Sequence, residues 1–113
     1  MRAGKQIRRR ILVVDDDPAA AEILRANLTH AGFQVIHASN GKDALRAANS
    51  QKPDLVLLDI LLPDVNGLEV CQQIKRAAAT CTIPVMLVSA RDRSEDKTAG
   101  FSAGAEDYIT KPF

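Results

Sequence analysis

At 113 residues the chain has the length of one domain, enough to bury a single core without staples and too little for two. A net charge of +1 with 26% charged residues leaves no overall field aimed at nucleic acid or an anionic membrane, so local chemistry must carry the function. There is no run of ~18 apolar residues for a membrane span and no apolar region near Met1 for a signal peptide, and a cytoplasmic setting is expected. Cys71 and Cys81 lack metal-ligand spacing, and Cys71 lies on an apolar helix face, so inert or buried thiols are expected rather than a disulfide.

Residues 1–9 contain Arg2, Lys5, Arg8 and Arg9 without an apolar period and read as a solvated basic leader ahead of a domain spanning 10–113. Four charges with no aromatic partner attract phosphates only weakly, and no direct nucleic-acid binding is expected. The apolar run Ile11-Leu12-Val13-Val14 predicts a strand, and it ends in Asp15-Asp16-Asp17. Pro18 suits a first helical turn, and Ala20, Ile23, Leu24, Asn27, Leu28 and Ala31 follow at helical spacing as the expected inward face, with Gly32 as the stop.

Residues 34–38 predict a second strand. Asn40 before Gly41 predicts a capped helix to about Asn49, with Ala44, Leu45 and Ala48 inward. Residues 50–54 read as loop, and the run Leu55-Val56-Leu57-Leu58 before Asp59 predicts a strand buried on both faces. Burying a carboxylate inside a sheet is costly, which places Asp59 at the strand's C-terminal end, in the crevice where open α/β sheets bind ligands.

Pro63-Asp64-Val65-Asn66-Gly67 is turn chemistry, and a helix to about Ala78 follows, with Leu68, Cys71 and Ile74 on one face. Val85-Met86-Leu87-Val88 predicts a fourth strand ending in Ser89-Ala90. Ser94 predicts the cap of a short helix containing Ala99 and Phe101 and ended by Gly104, before a fifth strand, Tyr108-Ile109-Thr110, that ends in Lys111-Pro112. His30 and His37 have no third ligand near them in sequence and are expected to be structural or exposed. The alternation βαβαβαβαβ predicts an α/β domain with a parallel sheet and right-handed crossovers.

If these strands are parallel neighbours, one rim of the sheet collects Asp15, Asp16, Asp17, Asp59, Ser89 and Lys111. A carboxylate can accept a phosphoryl group when the charge on the transferring oxygens is neutralised by a metal and a fixed cation. From about Arg10 to Phe113, these four motifs in this order resemble the receiver domain of response regulators, the phosphoacceptor module of two-component signalling. The resemblance implies the flavodoxin-like, doubly wound strand order 2-1-3-4-5. It also implies a fifth helix, absent from this chain, which stops at Phe113. The expected consequence is marginal stability or self-association as a homodimer through Ile109 and the central strands.

The resemblance further implies the roles of individual residues. Asp59 is the phosphoacceptor, and Mg²⁺ is held by Asp16, Asp59 and the main-chain carbonyl of Leu61, with Asp15 supporting through water. Asp17 falls at a variable acidic position. Ser89 bonds the phosphoryl oxygen, Ala90 is small enough to admit the group, and Lys111 supplies the fixed cation. Tyr108 is the switch aromatic that follows Ser89, and Leu61 and Arg91 set the phosphoryl lifetime.

The implied partners are a sensor histidine kinase or phosphotransfer protein and an unidentified output protein, with no enzymatic activity beyond self-phosphorylation and self-dephosphorylation. Two other functions fit parts of the pattern. Asp15-x-Asp17 after an apolar strand is similar to the nucleophile motif of haloacid-dehalogenase-like phosphohydrolases, although Pro18 and the short chain argue against it. The third is a receiver-like assembly module that never cycles phosphate.

Overall fold

Among the described residues of the computed structural model, runs of β-branched and leucine residues bounded by Asp, Gly or Pro produce five strands, and the stretches between them form four helices. The structure describes residues 8–89 and 94–110, with the side chains of 94–97 excepted. The strands are β1 (Arg10–Val14), β2 (Gln34–Ala38), β3 (Leu55–Asp59), β4 (Val85–Ser89) and β5 (Asp107–Thr110). All pair in parallel in the order β2-β1-β3-β4-β5, the predicted doubly wound arrangement. The helices are α1 (Pro18–His30), α2 (Gly41–Gln51), α3 (Gly67–Arg76) and α4 (Ser94–Ser102).

Parity along each strand sends alternate residues to opposite faces. Leu12, Val14, Val56, Leu58, Val85 and Leu87 pack with Ala44 and Ala48 of α2 and with Val70, Cys71 and Ile74 of α3 into the principal core. Ile11, Val13 and Val88 are buried on the α1 side, where Leu55, Leu57, Met86 and Ile109 are only half-buried. The Cys71 thiol donates to the Ala103 carbonyl, and burial pushes its pKa up to about 11. Both thiols are free, as expected; Cys71 is buried, whereas Cys81 is exposed in the turn after α3.

Several sequence expectations shift. The inward face of α1 is only partly the predicted one: Ala20, Leu24 and Leu28 are half-buried as expected, but Ile23 is 58% exposed, Asn27 and Ala31 are exposed, and Ala21 is the buried residue. The stripe is rotated because α1 packs on β1 and β2. Next, α2 runs to Gln51 and stops at Lys52, which adopts the left-handed conformation with φ 49° and donates Nζ to Ala79 O. Lastly, α3 stops at Arg76, where Thr80 folds back to donate Oγ1 to the Ile74 carbonyl at 2.7 Å. Ser94 is already helical, so the residues that would cap α4 lie outside the described ones, and Phe101 is 52% exposed.

Candidate functional site

The parallel sheet brings the C-terminal ends of β1, β3 and β4 to one rim, and the three adjacent aspartates after β1 do three different things there. Asp15 continues the ladder, its N–H donating to Ala38 O at 3.1 Å, and its side chain is only 2% exposed. Its Oδ1 accepts the Asp17 N–H at 2.9 Å. Asp17 points away as the N-cap of α1, accepting the Ala19 N–H at 3.0 Å just ahead of Pro18. Asp16, between them, is exposed.

Asp59 closes β3 and is 8% exposed. The Leu61 N–H donates to its Oδ1 at 3.0 Å, which fixes the carboxylate's orientation. One carboxylate oxygen from each of Asp15, Asp16 and Asp59 lies within 4.8 Å of the others. Three like charges this close repel, and a cation among them offsets that cost. An all-oxygen donor set, two of its members buried, suits a hard divalent ion such as Mg²⁺. Asp17 stands outside the cluster, which removes half of the Asp15-x-Asp17 pair that a dehalogenase-like site would need.

Ser89 ends β4, fully buried beside Thr110 of β5 in the register. Tyr108 is half-buried two residues earlier on β5, opposite Leu87, and packs against the principal core below α4. Ala90, Arg91 and Lys111 lie outside the described residues. Leu61 is 52% exposed, one turn of chain beyond Asp59, in an isolated bridge with Asn66.

Four neighbours of the site escaped the sequence. Gly67 abuts the Asp59 backbone. Asp64 binds the N-terminus of α2, where Gly41 lets the β3–α3 loop approach. His37 donates Nε2–H to the Asp15 carbonyl, an interaction of 3.0 Å that fixes the ring's orientation.

This arrangement agrees with comparison to known proteins. Residues 11–113 match the family model described as the response regulator receiver domain. The chain belongs to that family. It is 43% identical over 105 residues to the alkaline phosphatase synthesis transcriptional regulatory protein PhoP of Bacillus subtilis, covering 93% of this chain and 43% of PhoP. It is 44% identical over 104 residues to the DNA-binding dual master transcriptional regulator RpaA of Synechocystis, covering 92% of this chain and 43% of RpaA. The receiver domain thus spans less than half the length of these curated relatives.

A crystal structure of a putative response regulator from Chloroflexus aurantiacus superposes with a TM-score of 0.90 at 37% identity, over 95% of this chain and 88% of that one. Receiver domains are two-component signalling modules rather than conventional enzymes, and they work with histidine kinases or phosphotransfer proteins. The expected absence of nucleic-acid contact gains no support here, since RpaA is named a DNA-binding regulator. Among the described residues, no helix is long and apolar enough to cross a membrane.

Proposed function

We propose that this chain is a phosphorylation-controlled receiver whose Asp59 accepts a phosphoryl group from the phosphohistidine of a sensor kinase or phosphotransfer protein. The observation that carries this reading is the convergence of Asp15, Asp16 and Asp59 within 4.8 Å, with Asp59 at the end of the central strand. An Asp59 oxygen attacks phosphorus, the new P–O bond forms as the P–N bond breaks, and the imidazole leaves with a proton. Asp16, Asp59 and the Leu61 carbonyl would hold Mg²⁺, with Asp15 behind them. When bound, the ion neutralises charge on the phosphoryl oxygens and makes attack by an anionic carboxylate feasible.

The chain's own groups do the rest. Leu61 N–H holds one Asp59 oxygen in place. Ser89 donates to the new phosphoryl group, Ala90 leaves room for it and Lys111 supplies a fixed positive charge. As Ser89 is drawn towards the anion, Tyr108 follows, and the surface of α4 and β5 changes its partner preference, a shift between two existing states. The half-buried setting of Tyr108 beneath α4 supports that route.

The test is incubation with acetyl phosphate and Mg²⁺ followed by intact-protein mass spectrometry. Wild type should gain one phosphoryl group and Asp59→Asn none, with the fold intact, since the amide is nearly isosteric but a poor nucleophile. A phosphoryl group mapped to Asp15 would indicate dehalogenase-like chemistry, and none at all an assembly module.

A further inference from the structure

The loop from Ile60 to Gly67 carries the main-chain oxygen assigned to the ion site, and it is tied down at two places. Beside the site, Asp59 Oδ1 holds the Leu61 N–H, Leu61 bridges to Asn66, and the Gly67 N–H donates to Ile60 O at 2.7 Å. At its outer end the loop is held by a different element. Asp64 Oδ1 accepts the Gly41 N–H at 2.8 Å, and Oδ2 accepts the Lys42 N–H at 3.0 Å.

These are the donors that α2's own cap cannot reach. The first N–H groups of a helix have no intrahelical partner. Asn40 satisfies that of Asp43 at 2.8 Å and donates back to the Asp43 carboxylate. Gly41 and Lys42 are left to Asp64, which lies 23 and 22 positions further along the chain. The hydrogen bonds from Gly41 and then Lys42 hold the Asp64 carboxyl below the usual carboxylate range. The two elements also meet without a gap, since a Cβ at position 41 would lie 2.3 Å from Val65 Cγ2 and 2.9 Å from Val70 Cγ2.

We propose that Asp64 is a positioning residue for the acidic pocket. By clasping the α2 N-terminus it fixes the loop, and through the loop it fixes the Leu61 main chain and the Asp59 carboxylate that the Leu61 N–H holds. This rests on the function proposed above, which makes Leu61 and Asp59 parts of one ion and phosphoacceptor site.

The test compares wild type with Asp64→Ala, Asp64→Asn and Asn40→Ala by three measurements: amide exchange without metal, Mg²⁺ affinity by calorimetry, and phosphate incorporation from acetyl phosphate. Asp64→Ala should speed exchange at the Leu61 and Gly67 amides and weaken Mg²⁺ binding roughly tenfold or more, the usual cost of losing a group that orients a ligand. Asp64→Asn keeps an acceptor for Gly41 but turns an amide towards the Lys42 N–H, and should fall between. Asn40→Ala uncaps the same helix without touching the loop, so it should lower Tm yet leave Mg²⁺ affinity and the two amides as in wild type.

Wild-type affinity and protection in Asp64→Ala would overturn the proposal, as would an equal loss in Asn40→Ala. Should the alanine variant fail to fold, an Asp64→Asn protein indistinguishable from wild type overturns it equally. If Asp64→Ala weakens Mg²⁺ binding but Asp59 never takes phosphate, positioning stands and the phosphoacceptor reading falls. A wild type that binds no Mg²⁺ removes both.

Discussion

A Cβ at residue 67 would lie 2.3 Å from the carbonyl oxygen of Asp59. It would also sit 2.6 Å from the Ile60 Cα, so both obstacles are backbone at the end of the central strand and neither can swing aside. Gly67 opens α3 while donating its N–H to Ile60 O at 2.7 Å, so a methyl group there must displace either the helix or the strand end. Gly67→Ala should destabilise by about 1–3 kcal/mol, the range for overpacking, with Tm falling roughly 4 °C or more per kcal/mol. A thermal melt matching wild type would show that α3 can slide away from β3 at little cost.

Asp15, Asp16 and Asp59 crowd their carboxylates within 4.8 Å, so a divalent ion held among them, as proposed above, would contribute to stability as well as to phosphoryl transfer. A ligand that binds only the folded state raises stability by about 1.4 kcal/mol per tenfold increase in its concentration above Kd. Wild-type Tm should therefore climb with Mg²⁺. Asp16→Ala, which deletes one of about two protein carboxylates such sites use, should move that rise to higher Mg²⁺. An identical Mg²⁺ dependence in the variant would remove Asp16 from the ligand set.

The strands and the carboxylate ending β3 were legible because each depends on local pattern: an apolar run, a breaker, and a polar residue where the run meets the rim. Their order across the sheet is not local and was legible only through the resemblance to receiver domains. What stayed hidden depends on contacts distant in sequence. The pairing of Asp64 with Gly41 and Lys42 spans more than twenty positions and left only turn chemistry in the sequence. Gly67 looked like another turn residue because the backbone it abuts belongs to the preceding strand. The inward face of α1 was legible at Ala20, Leu24 and Leu28 but misplaced at Ile23, because Ile23 and Ala21 are both apolar and only the packing on β1 and β2 decides that the smaller one goes inside.

At the opposite end of the sheet, Lys75 and Glu106 join α3, β4 and β5. Lys75 Nζ donates to Glu106 Oε2 and to Ile83 O, each at 2.9 Å, and Glu106 Oε1 accepts the Val85 N–H at 2.8 Å. Burial alone would raise the Glu106 pKa, but the Val85 N–H and the Lys75 ammonium outweigh it and leave the pKa lowered. A carboxylate depressed on folding contributes stability above its unfolded pKa, about 4.3, and loses it as pH falls through the folded value. Glu106→Gln keeps an acceptor for Val85 but cannot ionise, so its Tm deficit should be greatest near neutral pH and close below about pH 4. With the Glu106 side chain 46% exposed, that deficit should not exceed about 1 kcal/mol. A gap independent of pH would assign the loss to packing rather than charge.

Leu61 places an apolar side chain, 52% exposed, just beyond Asp59 while its N–H is committed to the Asp59 carboxylate. Hydrolysis of an acyl phosphate on Asp59 needs a water aligned for attack, and a leucine side chain offers that water no hydrogen bond. We therefore expect a long-lived phosphorylated state. Leu61→Asn changes only the side chain and leaves the N–H that orients Asp59. One added hydrogen bond to the attacking water, at about 1 kcal/mol, should speed dephosphorylation about fivefold. The measurement is release of inorganic phosphate after removal of the phosphodonor at saturating Mg²⁺, with Leu61→Met as a control that alters shape without adding a polar group. Equal acceleration by methionine would trace the effect to packing, and no acceleration by asparagine would show that the attacking water is positioned by other residues.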